Sequence, residues 1–214
     1  MAEDTLAPNH HGDHPGFSGL RGLVAAIAFT RGRDGDAVLA VRLAELRAGD
    51  HLVDVGSGPG VAARRAATIG AEVVAVDPSA MMLRVGRLVN RAKRLRYASG
   101  AAQSLPVADA WANVVWSLAT VHHWPDLDVA LAEVQRVLAP NGRFVAIERH
   151  VADGAHGRAS HGWTRAQADA FAARCEAFGL SATVSEHADG NRGAALSVVA
   201  HAPGARSSNQ VSSP

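Results

Sequence analysis

Through the middle of this chain, short apolar runs alternate with segments of helical spacing, and no other feature restricts the fold as strongly. The spacing predicts strands at 51–55, 72–76, 94–98, 113–117, 143–148, 182–186 and 194–199. It predicts helices at 37–46, 61–69, 78–93, 126–138 and 164–178. End signals support these bounds. Asp36 is placed to cap the first helix, Gly70 and Gly179 stand where helices stop, and Thr164 with Gln167 has capping-box spacing. Helix-length crossovers join parallel strands, whereas the last two runs have no helix between them and must pair antiparallel. The expected fold class is therefore α/β: three layers around a mostly parallel seven-stranded sheet with an antiparallel last strand.

Composition sets the limits of function. The 214 residues are 48% hydrophobic and 19% charged, enough to bury a sizeable core and inconsistent with a largely disordered chain. Lys plus Arg number 21 and Asp plus Glu 20, so no global charge draws the chain to nucleic acid or anionic lipid. Cys175 is the single cysteine, which excludes an intramolecular disulfide and a cysteine-built metal centre. The apolar run 20–29 is broken by Arg21 and falls short of the ~20 residues that span a bilayer. The first residues, Met1-Ala2-Glu3-Asp4, are acidic where an export signal is basic. A cytoplasmic protein with no membrane span is expected. Residues 1–16 read as a flexible arm, 17–201 as one domain whose 17–48 helices could act as a lid, and 202–214 as a disordered tail.

In parallel sheets ligands bind beyond the carboxyl ends of the strands. The first such loop is Asp54-Val55-Gly56-Ser57-Gly58-Pro59-Gly60. A dinucleotide fingerprint would place a third glycine where Val61 stands, and Pro59 lacks an amide that a diphosphate could use. Asp54 would repel a diphosphate but attract an ammonium or sulfonium. Asp77 closes the second strand 21 residues after Gly56, the spacing at which an acid accepts from ribose hydroxyls, although it can equally cap the next helix. Pro78 and Met82 lie one helical turn apart and could sandwich a purine.

Together, five segments make the chain resemble a class I S-adenosylmethionine-dependent methyltransferase, a Rossmann-like three-layer sandwich. They are Val53–Gly60, Val76–Met82, Gly100–Pro106, Asn113–Ser117 with Val121–Trp124, and Ala132–Gly142. The resemblance covers about residues 50–150 and is nearest to the small-molecule branch that includes the ubiquinone and menaquinone methyltransferases. It implies S-adenosyl-L-methionine as cofactor and a small, hydrophobic metabolite as acceptor. Asp54, Gly56, Ser57, Gly58, Pro59 and Gly60 would then hold its methionine end, and Asp77 its ribose. Pro78 and Met82 would flank adenine, Ala102 and Gln103 would lie along its edge, and Ser117 would line the floor near the sulfonium. Two positions depart from the family pattern, Ala101 and Asn113, where acids are usual. They lead us to expect weakened or rearranged adenine recognition.

His122 follows the fourth strand at the mouth of the sheet and is the candidate base or substrate-orienting group, ahead of His123. Glu148-Arg149-His150 leaves the fifth strand at the same edge. Trp116, Trp124 and Trp163 could wall an acceptor or belong to the core. His10, His11, Asp13 and His14 have metal-binding side chains but no scaffold, so no metal site is expected. The basic stretch from Arg87 to Arg96 reads as a solvated face, and no nucleic-acid partner is expected. Two rivals remain at this point: a nucleotide-linked oxidoreductase and a non-catalytic S-adenosylmethionine-binding module.

Overall fold

Residues 7–12, 34–190 and 193–205 are described by the computed structural model. Seven strands form one sheet: β1 (His51–Val55), β2 (Glu72–Asp77), β3 (Leu95–Ser99), β4 (Ala112–Leu118), β5 (Leu138–Arg149), β6 (Ser181–Gly190) and β7 (Gly193–His201). Their spatial order is β3-β2-β1-β4-β5-β7-β6. The first five pair in parallel, and β7 runs antiparallel between β5 and β6. The strand order reverses beside β1, where β1 pairs with both β2 and β4. This is the point at which such sheets open a crevice for a ligand.

Among the described residues five helices accompany the strands: α1 (Asp34–Leu43), α2 (Val61–Ile69), α3 (Ala80–Val89), α4 (Leu127–Val137) and α5 (Arg165–Ala177). Alternate strand residues point to opposite faces, and each face buries its own core. On one, Val53, Val55, Val115 and Phe144 meet Leu131 and Val134 of α4 and Phe171 and Cys175 of α5. On the other, Leu52, Val114, Trp116 and Val145 meet Leu39 and Ala40 of α1 and Ala63 and Ala66 of α2. Of the two roles open to Trp116, Trp124 and Trp163, the structure shows the core one: they are at most 4% exposed.

Several boundaries move for identifiable reasons. Expected at 78–93, α3 begins after Ser79, whose hydroxyl accepts from the Met82 amide. It stops at Asn90, whose side-chain amide donates to the Pro59 carbonyl at 2.8 Å. Asp36 lies inside α1 and is not its cap. In contrast, α2 has its expected bounds, and the Thr164–Gln167 capping box is present on α5.

Residues 7–12, expected within a flexible arm, form turns seated on the body. The Trp163 indole donates to the Pro8 carbonyl, Asn9 donates to the Trp124 carbonyl, and the His11 amide donates to the His122 carbonyl. Phe17, Leu20, Leu23, Ile27 and Phe29 of the anticipated lid, together with Asp13, His14 and residues 206–214, lie outside the described residues.

Candidate functional site

The loop between β1 and α2 turns through Gly56, Gly58 and Gly60, with φ of 71°, 54° and 79°. Only glycine adopts this left-handed region without strain. Its amides are spent internally: Gly56 and Ser57 donate to the Val76 carbonyl at 2.9 and 3.0 Å, and Gly60 donates to the Ser57 carbonyl at 3.0 Å. The Gly58 amide donates to Asp77 Oδ2 at 2.8 Å, and Pro59 has no amide to give. The Pro59 carbonyl is gripped from below by the Asn90 amide and the Tyr97 hydroxyl. With its donors turned inward, the loop is not built to cradle a phosphate.

Two carboxylates face the same opening. Asp54 near the end of β1 and Asp36 of α1 line an open cleft with Gly56, Ser57, Pro59 and Leu118. Asp54 is only 2% exposed, and its charge joins burial in pushing the Tyr97 phenol above its ordinary pKa. Such a pair attracts a cationic group and repels an anionic one. At the neighbouring strand end, Asp77 links the glycine loop to α3, because its other oxygen accepts from the Ser79 amide at 2.8 Å. The cap of α3 is Ser79 and not Asp77, which instead ties the glycine loop to the turn that precedes the helix.

The remaining expected residues occupy distinct settings. Pro78 is exposed and Met82 is buried. Ala102 is buried, while the Gln103 amide donates to the Asp126 carbonyl at 3.3 Å. Ser117 has no exposed surface and shares a hydrogen bond with the Thr120 hydroxyl, which itself donates to the Val55 carbonyl. Thr120, not singled out from the sequence, is thus the side chain that abuts Gly56. Asn113 sits at the opposite, amino end of β4, where its carbonyl oxygen accepts from the His51 amide at 2.9 Å. It therefore lies at the edge of the sheet opposite the glycine loop.

Past Thr120 the chain makes a 3-10 turn at Val121–His123. Glu148, 1% exposed at the end of β5, accepts from the Val121 amide at 2.8 Å and from the His122 amide at 3.4 Å. Its second oxygen lies 2.8 Å from His122 Nδ1. Glu148 can accept a proton-bearing Nδ1 of His122, and in that tautomer of the neutral ring Nε2 is the acceptor. His123 is pushed down to about 4 by burial, with the neighbouring His122 as the next cause. The 7–12 segment brings His10 and His11 over this turn, and His161 approaches from the loop after β5. Of the other residues expected at this edge, Arg149 donates to the His161 carbonyl and His150 pairs with Glu186, so neither enters the cleft beside the glycine loop.

Residues 53–146, just under half of the chain, match the family described as "Methyltransferase domain". The ubiquinone/menaquinone biosynthesis C-methyltransferase UbiE of Rubrivivax gelatinosus is 39% identical over 108 residues, covering 50% of this chain and 43% of that protein. The chain spans under half the length of the curated relatives it matches. Among solved structures, a SAM-dependent methyltransferase from Aquifex aeolicus superposes with a TM-score of 0.69 at 17% identity, covering 84% of this chain and 97% of that one. The [4+2]-cyclase SpnF superposes with a TM-score of 0.70 at 17% identity, covering 92% and 97%. Residues 53–146 are thus similar to a methyltransferase domain, and the fold is the one that the solved S-adenosylmethionine-dependent methyltransferase shares.

Proposed function

We propose that the protein is a cytoplasmic enzyme that moves the methyl group of S-adenosyl-L-methionine to a small molecule. The observation that carries this reading is the β1–α2 loop, whose amides are consumed internally while Asp54 and Asp36 line its cleft. That arrangement fits an ammonium and a sulfonium and argues against the diphosphate of a dinucleotide. It thereby disfavours the nucleotide-linked oxidoreductase.

The chain's residues divide the binding task. Asp54 and the turn from Gly56 to Gly60 receive the amino-acid end, and Asp77 receives the ribose hydroxyls. Pro78, Met82 and Ala102 enclose the base, whereas Gln103, held by Asp126, contributes backbone at its edge. Bound there, the cofactor supplies an electrophilic methyl group on sulfur. In-line displacement needs positioning and exclusion of water more than covalent help. His122, fixed by Glu148 with Nε2 as acceptor, is the group suited to orient an acceptor or take its proton. An organic acceptor reaches it only when the 7–12 segment moves aside, since His122 is 2% exposed. The tryptophans lie in the core and so lend no support to an apolar acceptor.

Thermal denaturation with S-adenosylhomocysteine and with NAD tests the reading. A ligand at 100 times its Kd adds about 2.7 kcal/mol, or roughly 5–10 °C at this size. Stabilisation by NAD and not by S-adenosylhomocysteine would refute it. Release of S-adenosylhomocysteine across an acceptor library then separates an enzyme from a binding module. That step matters because this fold also hosts a cyclase.

A further inference from the structure

His122 and His123 come from the turn after β4, and His161 comes from the loop between β5 and α5. One ring nitrogen from each lies within 4.8 Å of the others. A tetrahedral ion with metal–nitrogen bonds of about 2.0–2.1 Å needs its ligands ~3.3 Å apart, so modest side-chain rotation closes the set. We propose that these three histidines form a binding site for a borderline divalent cation of the zinc type, with a fourth position open to water or a ligand oxygen.

Four observations support the site. First, the donor set is all imidazole, which suits zinc, cobalt, nickel or copper and disfavours magnesium or calcium. Second, Glu148 holds His122 Nδ1 at 2.8 Å, the carboxylate–histidine arrangement that commonly stands behind a metal ligand and frees Nε2. Third, His123 Nδ1 is 3.4 Å from the His11 carbonyl, so its Nδ1–H can donate there and leave Nε2 as its lone pair. Fourth, the imidazole rings already stand together at the end of the sheet. The rings of His122 and His123 are 4.1 Å apart, and His11 stacks on His161 at 4.4 Å.

The site adjoins the proposed methyl-transfer cleft, because the turn that carries His122 begins at Thr120, the residue against Gly56. His122 Nε2 cannot bind an ion and take a proton at once. A bound cation would therefore assume the task of acidifying an acceptor hydroxyl in its open position. This last role rests on the proposed function; the site itself does not.

The test uses the full chain without an affinity tag, stripped by a chelator and titrated with Co²⁺. The visible d–d band of four-coordinate cobalt should saturate at one ion per chain and be displaced by Zn²⁺. His161→Gln and His123→Gln should each abolish the band, and Glu148→Gln should weaken Co²⁺ binding roughly 10–100-fold. The His10→Ala/His11→Ala double variant should keep the band. Absence of the band in the parent chain, its persistence in His161→Gln, or its loss in the double variant would overturn the assignment. Stabilisation by S-adenosylhomocysteine is read on the same samples. A chain that keeps that stabilisation and binds no Co²⁺ refutes the metal site alone, and the converse result refutes the cofactor reading alone.

Discussion

Two glycines of one loop should fail in different ways when replaced by alanine. A Cβ on Gly56 would sit 2.7 Å from the Thr120 side chain, whereas one on Gly58 would meet no atom within 4 Å. Both residues have positive φ, 71° and 54°, so alanine costs about 1–2 kcal/mol of backbone strain at either site. Only Gly56→Ala adds overpacking, typically about 1–3 kcal/mol. Thr120 cannot swing away cheaply, because its hydroxyl is held between Ser117 and the Val55 carbonyl. For a domain of this size 1 kcal/mol corresponds to ~2–4 °C, so Gly56→Ala should melt roughly 2–12 °C below Gly58→Ala. Binding should reverse the ranking of interest. The new methyl of Gly58→Ala projects into the open side of the loop and should weaken S-adenosylhomocysteine at little further cost in stability. Melting curves and calorimetric titrations on the two purified variants supply both numbers. Equal melting temperatures would show that Thr120 yields and that the close approach at Gly56 does not restrict the loop.

Other expectations follow from single side chains. Asn113→Ala should cost about 0.5–1.5 kcal/mol in denaturant unfolding by orphaning the His51 amide, with no change in S-adenosylhomocysteine affinity. A fall in affinity would place Asn113 in the binding site after all. Phe171→Ala, at the centre of the rings formed by Trp124, Phe144 and Trp163, should cost about 3–5 kcal/mol. Burial pushes the Cys175 thiol up to about 12, so the folded chain should resist alkylation at pH 8 and react once unfolded. Because that pKa is raised on folding, its contribution is complete below the ordinary thiol range and is lost as pH rises from about 9 to about 12. Cys175→Ala should flatten the alkaline limb of a stability profile, and an unchanged limb would refute the assignment.

What could be read in advance depended on how far apart in sequence the partners lie. The β1–α2 loop and Asp77 were legible because strand, turn and acid follow one another at fixed spacing, and α2 has the bounds its two glycines imply. The His122–Glu148 pair was not, since it joins the ends of two strands through a carboxylate that the sequence marks only as a strand end. His161 gave no signal at all, because its loop has no periodicity and reaches the turn only through folding. Residues 7–12 looked unstructured for a similar reason. Their polar groups are satisfied by Trp124, Trp163 and Ser160, all distant in sequence. The length of α3 was overestimated because Asn90 is diverted to Pro59, a tertiary bond that helical spacing does not reveal.

The placement of β7 between β5 and β6 has a consequence for biosynthesis. When β6 leaves the ribosome it has no strand to join, since it reaches the sheet only through a neighbour that is translated after it. Until then β5 exposes an unpaired backbone edge rich in Phe144, Val145 and Ile147, the kind of edge that templates association between nascent chains. Completion of the sheet thus waits for the final hairpin. Chains interrupted before Gly193 should accumulate as aggregates and not as smaller soluble domains.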